Sequence, residues 1–222
     1  MNIPARQSAK SSPETPGEST PALHDRAIQD LSFIRRTMEG ASSFTDVPGW
    51  GLVGIGVTAI AAAILAEMQT NGGSWLAIWL MEALLGATIG GGMTWRKMRR
   101  RVRADGAPVL SAPARKFLFG FWPAMLAGAV LTFALVEPGE LLRDYTAAPR
   151  VLPGVWLLLY GVGITTAGAF SVRAVPLMGI GLMVLGTVAL LVPHVSGTLL
   201  LALGFGVWQI AFGIWIARRH GG

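Results

Sequence analysis

One acidic residue, Glu82, lies inside an apolar run, I-W-L-M-E-A-L-L-G, Ile78 to Gly86. A carboxyl at the centre of a bilayer costs about 2.5–3.5 kcal/mol on insertion scales, so Glu82 must face protein or water rather than lipid. Gly86 and Gly90 lie further along its stripe and make a small-residue face that admits a second helix. The third apolar run carries a matching stripe, Gly120, Ala124, Gly128 and Thr132. Antiparallel pairing of these two stripes is expected to bring Thr132 within about one turn of Glu82. Counting about 1.5 Å per residue from the outer boundary puts Thr58, Tyr160 and Thr187 at the depth of Glu82, with Thr165, Thr166 and Gln209 deeper. The candidate intramembrane polar site is therefore Glu82, Thr58, Thr132, Tyr160, Thr187 and Gln209. Two chemistries suit it: a carboxyl hydrogen-bonded inside a packed bundle, or one that exchanges a proton or touches a substrate.

Other chemistry is poorly supplied. The chain has no cysteine, which excludes disulfides, thiolate catalysis and cysteine metal sites. His24, His194 and His220 lie in the tail, an outer loop and the C-terminus, without metal-ligand spacing. The apolar runs hold no histidine to serve as a base in a nucleophilic triad. Gly54/Gly56 and Gly161/Gly163 read as G-x-G, yet no strand is expected before them, so a nucleotide loop is excluded. No enzyme activity, cofactor or metal is expected.

The elements that position Glu82 can be read from composition. The chain is 52% hydrophobic and 14% charged, with mean hydropathy +0.54. A soluble domain would carry about 25% charged residues. Six apolar runs recur, near Gly49–Leu65, Trp75–Trp95, Phe117–Val136, Val151–Phe170, Ala174–Pro193 and Gly197–Ala217. A membrane helix needs about 20 apolar residues. The fold class expected is all-α: a polytopic membrane helix bundle of six transmembrane helices with a short amphipathic N-terminal helix. Residues 1–20 are rich in Ser, Pro, Glu and Thr and are expected to be a disordered tail. Residues 21–47 are expected to form a cytoplasmic amphipathic helix and linker, with Ala27, Ile28, Leu31, Ile34 and Met38 at helical spacing. Residues 48–222 are expected to form the transmembrane domain.

Charge sets the orientation. Arg96 to Arg103 reads R-K-M-R-R-R-V-R, a basic loop by this reading. Of eighteen Lys and Arg, sixteen fall on one side of the expected topology, and only Arg143 and Arg150 on the other. Cytoplasmic segments carry that excess, so both termini are expected in the cytoplasm of a bacterial inner membrane. Trp50, Trp95, Trp122 and Trp215 then mark the inner interface, and Trp75 and Trp156 the outer one. Arg96, Lys97, Arg99, Arg100, Arg101 and Arg103 are candidate contacts for anionic lipid, and Leu31 and Ile34 for a cytoplasmic protein partner. The net charge of +6 is spent on membrane-flanking positions, so no nucleic acid partner is expected.

L-S-F-I-R-R-T-M-E, Leu31 to Glu39, with S-F-T-D-V-P-G-W-G, Ser43 to Gly51, resembles a signature of uncharacterised bacterial six-helix inner-membrane proteins. F-G-I-W-I-A-R-R-H-G-G, Phe212 to Gly222, fits the same resemblance. It implies the six-helix architecture and no site residues. From Gly179 to Arg219, a Gly-rich helix, Pro193 at a turn and a closing Ala-Arg-Arg are similar to HdeD-type acid-resistance membrane proteins. The functional expectation is a regulatory or scaffolding membrane protein that presents its N-terminal helix and basic loop to a partner. The alternative is a small transporter or proton-linked permease using Glu82.

Overall fold

The structure is a computed structural model and describes residues 26, 28–32, 34, 47–105, 111–136, 147–169, 171–192 and 194–220. The expected tail, residues 1–20, lies outside them. The chain divides into two units, Met1–Ala41 and Ser42–Gly222. In the first, the described residues between Arg26 and Ile34 are helical. Ile28, Leu31 and Ile34 are all exposed there.

Among its described residues the second unit contains six helices long and apolar enough to cross a membrane. They are α1 (Gly49–Glu67), α2 (Gly72–Asp105), α3 (Ala112–Val136), α4 (Ala147–Gly168), α5 (Ala174–Leu191) and α6, which starts at Gly197 and ends at His220. Caps mark several starts. Asn71 Oδ1 accepts from Ser74 N at 2.7 Å, and Ser196 Oγ accepts from Leu199 N at 3.3 Å. Such bonds satisfy the first amides of a helix, which have no partner within it.

The basic stretch is not a loop. Arg96 to Arg103 continues α2, whose 34 residues span about 50 Å at ~1.5 Å per residue. That exceeds a hydrocarbon core of about 30 Å, so the last turns stand clear of it. Arg, Lys and Met are good helix formers, and nothing in R-K-M-R-R-R-V-R breaks the run. Likewise α3 runs through Pro123 without interruption of the helix. In α6 the middle is π-helical, Ala202–Trp208, between α-helical Gly197–Leu201 and Gln209–His220. Each π turn takes an extra residue and rotates the residues after it, here Gln209.

Glycine decides which helices pair. A Cβ on Gly161 would lie 2.7 Å from the Gly179 carbonyl oxygen, and one on Gly186 2.9 Å from that of Gly154. The same relation joins α1 to α6: a Cβ on Gly56 would sit 2.7 Å from Gly206 O, and one on Gly213 2.7 Å from Gly49 O. Each pair crosses at two points seven residues apart, and no other side chain fits there. α1, α4, α5 and α6 thus form the core, where Leu152, Leu157, Leu182 and Leu201 are fully buried.

α2 and α3 flank this core. Only 11% and 6% of their spans is buried, against 39% or more in the other four. α2 leans on α1 and α3 on α4, and the two do not pack along each other. The expected pairing of their small-residue stripes is therefore wrong. A Cβ on Gly86 or Gly90 would meet only the Ile55 side chain, one on Gly91 or Gly92 nothing within 4 Å, and one on Gly120 the Ala167 backbone of α4 at 3.0 Å. A glycine face permits close approach without specifying the partner.

Candidate functional site

The space between α2 and α3 is a cavity of about 790 Å³. Leu52 and Ile55 of α1, Tyr160 of α4, and Phe205 and Gln209 of α6 reach its inner wall. Trp79, Glu82, Gly86 and Gly90 line the α2 side; Phe121, Gly128 and Thr132 line the α3 side. Glu82 and Tyr160 are the titratable side chains of the lining, and among the described residues no cationic side chain reaches it.

Glu82 is 9% exposed, so the helix turns it inward as its cost in lipid requires. Its partner is Thr58 on α1, whose Oγ1 donates to Glu82 Oε1 at 2.8 Å. The same hydroxyl lies 2.9 Å from the Ile55 carbonyl oxygen. A hydroxyl has one proton and two lone pairs. It can give its proton to an ionised Glu82. It can also give that proton to Ile55 while accepting from a protonated Glu82. The pair therefore accommodates both charge states of the carboxyl without rearrangement.

The sequence-derived set divides. Thr58 joins Glu82 as depth predicted. Tyr160 and Gln209, assigned to different depths, are hydrogen-bonded through their side chains. A phenol reaches about 6 Å beyond its Cα, more than the separation of adjacent turns. Thr132 lines the cavity but does not bond Glu82. Its hydroxyl donates to the Gly128 carbonyl and accepts from Trp156 Nε1, each at 2.7 Å. Thr187 is a correction. It is exposed, donates back to the Met183 carbonyl at 2.9 Å, and does not line the cavity. A threonine can satisfy itself on its own helix, so depth alone carries no site.

Among the described residues two buried side-chain atoms have no hydrogen-bond partner, Trp79 Nε1 and Gln209 Oε1, and both residues line this cavity. Trp79 is 3% exposed and Gln209 1%. Other indoles are satisfied: the buried Trp75 donates through Nε1 to Thr198 Oγ1 at 3.0 Å, and the partly buried Trp208 through Nε1 to the Met178 carbonyl at 3.1 Å. Because Gln209 Oε1 is bare, its bond to Tyr160 runs through Nε2. Turning the amide over exchanges the two ends and still leaves one unpartnered. Trp79 escaped the sequence reading, although it sits one turn before Glu82 on the same face.

The walls are aromatic. Phe121, Tyr160 and Phe205 form an edge-to-face series, with centroids 5.7 and 5.1 Å apart. Trp75, which is buried, stacks on the half-buried Trp156 with centroids 5.8 Å apart. Trp50, Trp95, Trp122 and Trp215 are exposed. The Arg99 guanidinium lies 5.2 Å over Trp95 and that of Arg219 5.9 Å over Trp215, distances suited to cation–π contact.

Of the candidate lipid and partner contacts, Arg96, Arg99, Arg100, Arg103, Leu31 and Ile34 are exposed and Lys97 is half-buried. The Arg101 side chain is outside the described residues. Among the described residues no three His, Asp or Glu side chains gather as a metal site. Comparison with protein-family models, curated proteins and solved structures finds no match.

Proposed function

We propose that the chain is a small permease or ligand-binding protein of the bacterial inner membrane, with both termini in the cytoplasm, that takes a membrane-soluble guest between α2 and α3 and holds its polar end at Glu82. The observation that carries this is a buried carboxyl on the wall of a cavity of about 790 Å³, within the range of small-molecule sites. The paucity of packing around α2 and α3 supports it, because helices that bury little can separate at little cost. The Thr58–Glu82 pair supports proton linkage, since it is satisfied in either charge state.

The chain has no cysteine, so single-cysteine variants need no prior substitution. Cysteine at Gly90 or Thr132 should react with a membrane-permeant maleimide and be protected when the cavity is filled, whereas cysteine at Thr187 should show no protection. Equal behaviour of all three would refute the reading.

The regulatory reading draws on a separate observation, the exposed Ile28, Leu31 and Ile34 on the N-terminal helix. Such a stripe suits a groove on a cytoplasmic partner or the headgroup layer. Replacing Leu31 and Ile34 with Glu should abolish partner recovery from native membranes, or raise protease sensitivity of residues 1–47, without unfolding the bundle. If neither changes, that reading fails.

A further inference from the structure

The unpartnered atoms of the cavity specify more than a hydrophobic guest. Resting on the permease or binding reading, we infer that the guest is a lipophilic ammonium that carries N–H bonds: an apolar body with one primary or secondary amine. Charge comes first. Glu82 is the acidic side chain of the lining, and among the described residues no cationic side chain answers it there. Thr58 occupies Oε1 and leaves acceptor capacity on the carboxylate. A single carboxylate in an apolar space selects one positive charge, because an anion would meet repulsion and a dication would bury an unanswered charge.

Hydrogen-bond capacity comes second. The Glu82 carboxylate keeps acceptor sites beyond the one Thr58 fills, and one end of the buried Gln209 amide is also unpartnered. A quaternary ammonium has no N–H to give the carboxylate, whereas a primary or secondary one donates to it directly. Trp79 Nε1–H is the complementary orphan and would take an oxygen carried beside the nitrogen. The walls come third. Phe121, Tyr160 and Phe205 present ring faces and edges to the cavity, and cations are drawn to aromatic faces. Access is from the side, between α2 and α3, so the guest partitions into the bilayer before it binds.

The test uses the full chain in phosphatidylcholine nanodiscs, with calorimetric titration corrected by empty discs for partitioning. The probes are phenylpropylamine, its neutral isostere phenylpropanol, and phenylpropyl-trimethylammonium. The amine should bind saturably and at least about tenfold more tightly than the alcohol, the scale of a desolvated charge-assisted bond. Glu82→Gln should abolish that preference. The amine should also bind more tightly than the trimethylammonium probe, which has no N–H to donate to Glu82. Phosphatidylethanolamine offers the same chemistry on a lipid. If adding it to the discs competes with the amine, the occupant is a lipid headgroup; if it does not, the occupant is a free amine, and both results support the ammonium assignment. Equal binding of amine and alcohol by the unmodified protein would overturn the assignment and leave the cavity reading standing. Retained preference in a folded Glu82→Gln variant would overturn it as well. No saturable binding of any probe by protein with an intact thermal transition would overturn both.

Discussion

Thr58 Oγ1 donates to Glu82 Oε1 across 2.8 Å, and this bond ties α1 to α2 inside the bundle. It is a polar link between the core helices and a flanking helix that buries only 11% of its span. Glu82→Gln keeps the shape and an acceptor, so its thermal stability in detergent should match that of the parent. Glu82→Leu should cost about 0.6 kcal/mol, the average for a hydrogen bond between membrane helices. Thr58→Val should cost about as much, and the double variant should show that the two losses are one loss. Additive losses would mean that each group has another partner.

Transport should respond differently from stability. If Glu82 carries a proton in exchange for its guest, Glu82→Gln should abolish guest-driven pH change in proteoliposomes while the fold persists. An amide cannot release a proton in this range. Full activity in the Gln variant would remove Glu82 from the mechanism.

Glycine substitutions should separate packed from open faces. Gly161→Ala puts a Cβ 2.7 Å from the Gly179 carbonyl oxygen, against backbone that cannot give way. A loss of about 1–3 kcal/mol is expected, as for overpacking elsewhere. Gly91→Ala meets nothing within 4 Å and should be neutral or slightly stabilising, since alanine favours a helix. A thermal-shift series across both positions checks the order. The reverse order would mean that α2, not α5, holds the tight interface.

The basic end of α2 should bind anionic lipid. Arg99→Gln and Arg100→Gln should each weaken association with anionic vesicles by about 1 kcal/mol, less at high salt. Both side chains are exposed. Unchanged vesicle binding would leave these residues with a topological role alone.

Orientation can be read with reporter fusions. Fusions at Gly72 and Val195 should report the periplasm, and fusions at Asp105 and His220 the cytoplasm. A periplasmic signal at Asp105 would invert the topology.

Much of this molecule is legible from residue order. Six runs of apolar residues become six long apolar helices, because a span must satisfy its own backbone wherever it is placed. Glu82 is turned inward for the same kind of reason: a carboxyl has no acceptable place against lipid. Partnering is another matter. Gly86 and Gly90 look as suited to a helix contact as Gly154 and Gly161, yet the first pair faces a cavity and the second faces α5. Counting along a helix gives depth but not azimuth, so Thr187 shares a level with Glu82 and still points away. Tyr160 and Gln209, separated in depth by counting, meet on one cavity wall, and α6 carries a π-helical segment that order alone did not announce. Residue order determined the six apolar helices and the inward carboxyl. Tertiary structure decided which faces meet, and so created the cavity and its two unpartnered atoms. The reason is that hydrocarbon tails are as apolar as leucine. In a membrane, a lipid-facing side chain and a helix-facing one are written in the same residues, and only packing tells them apart.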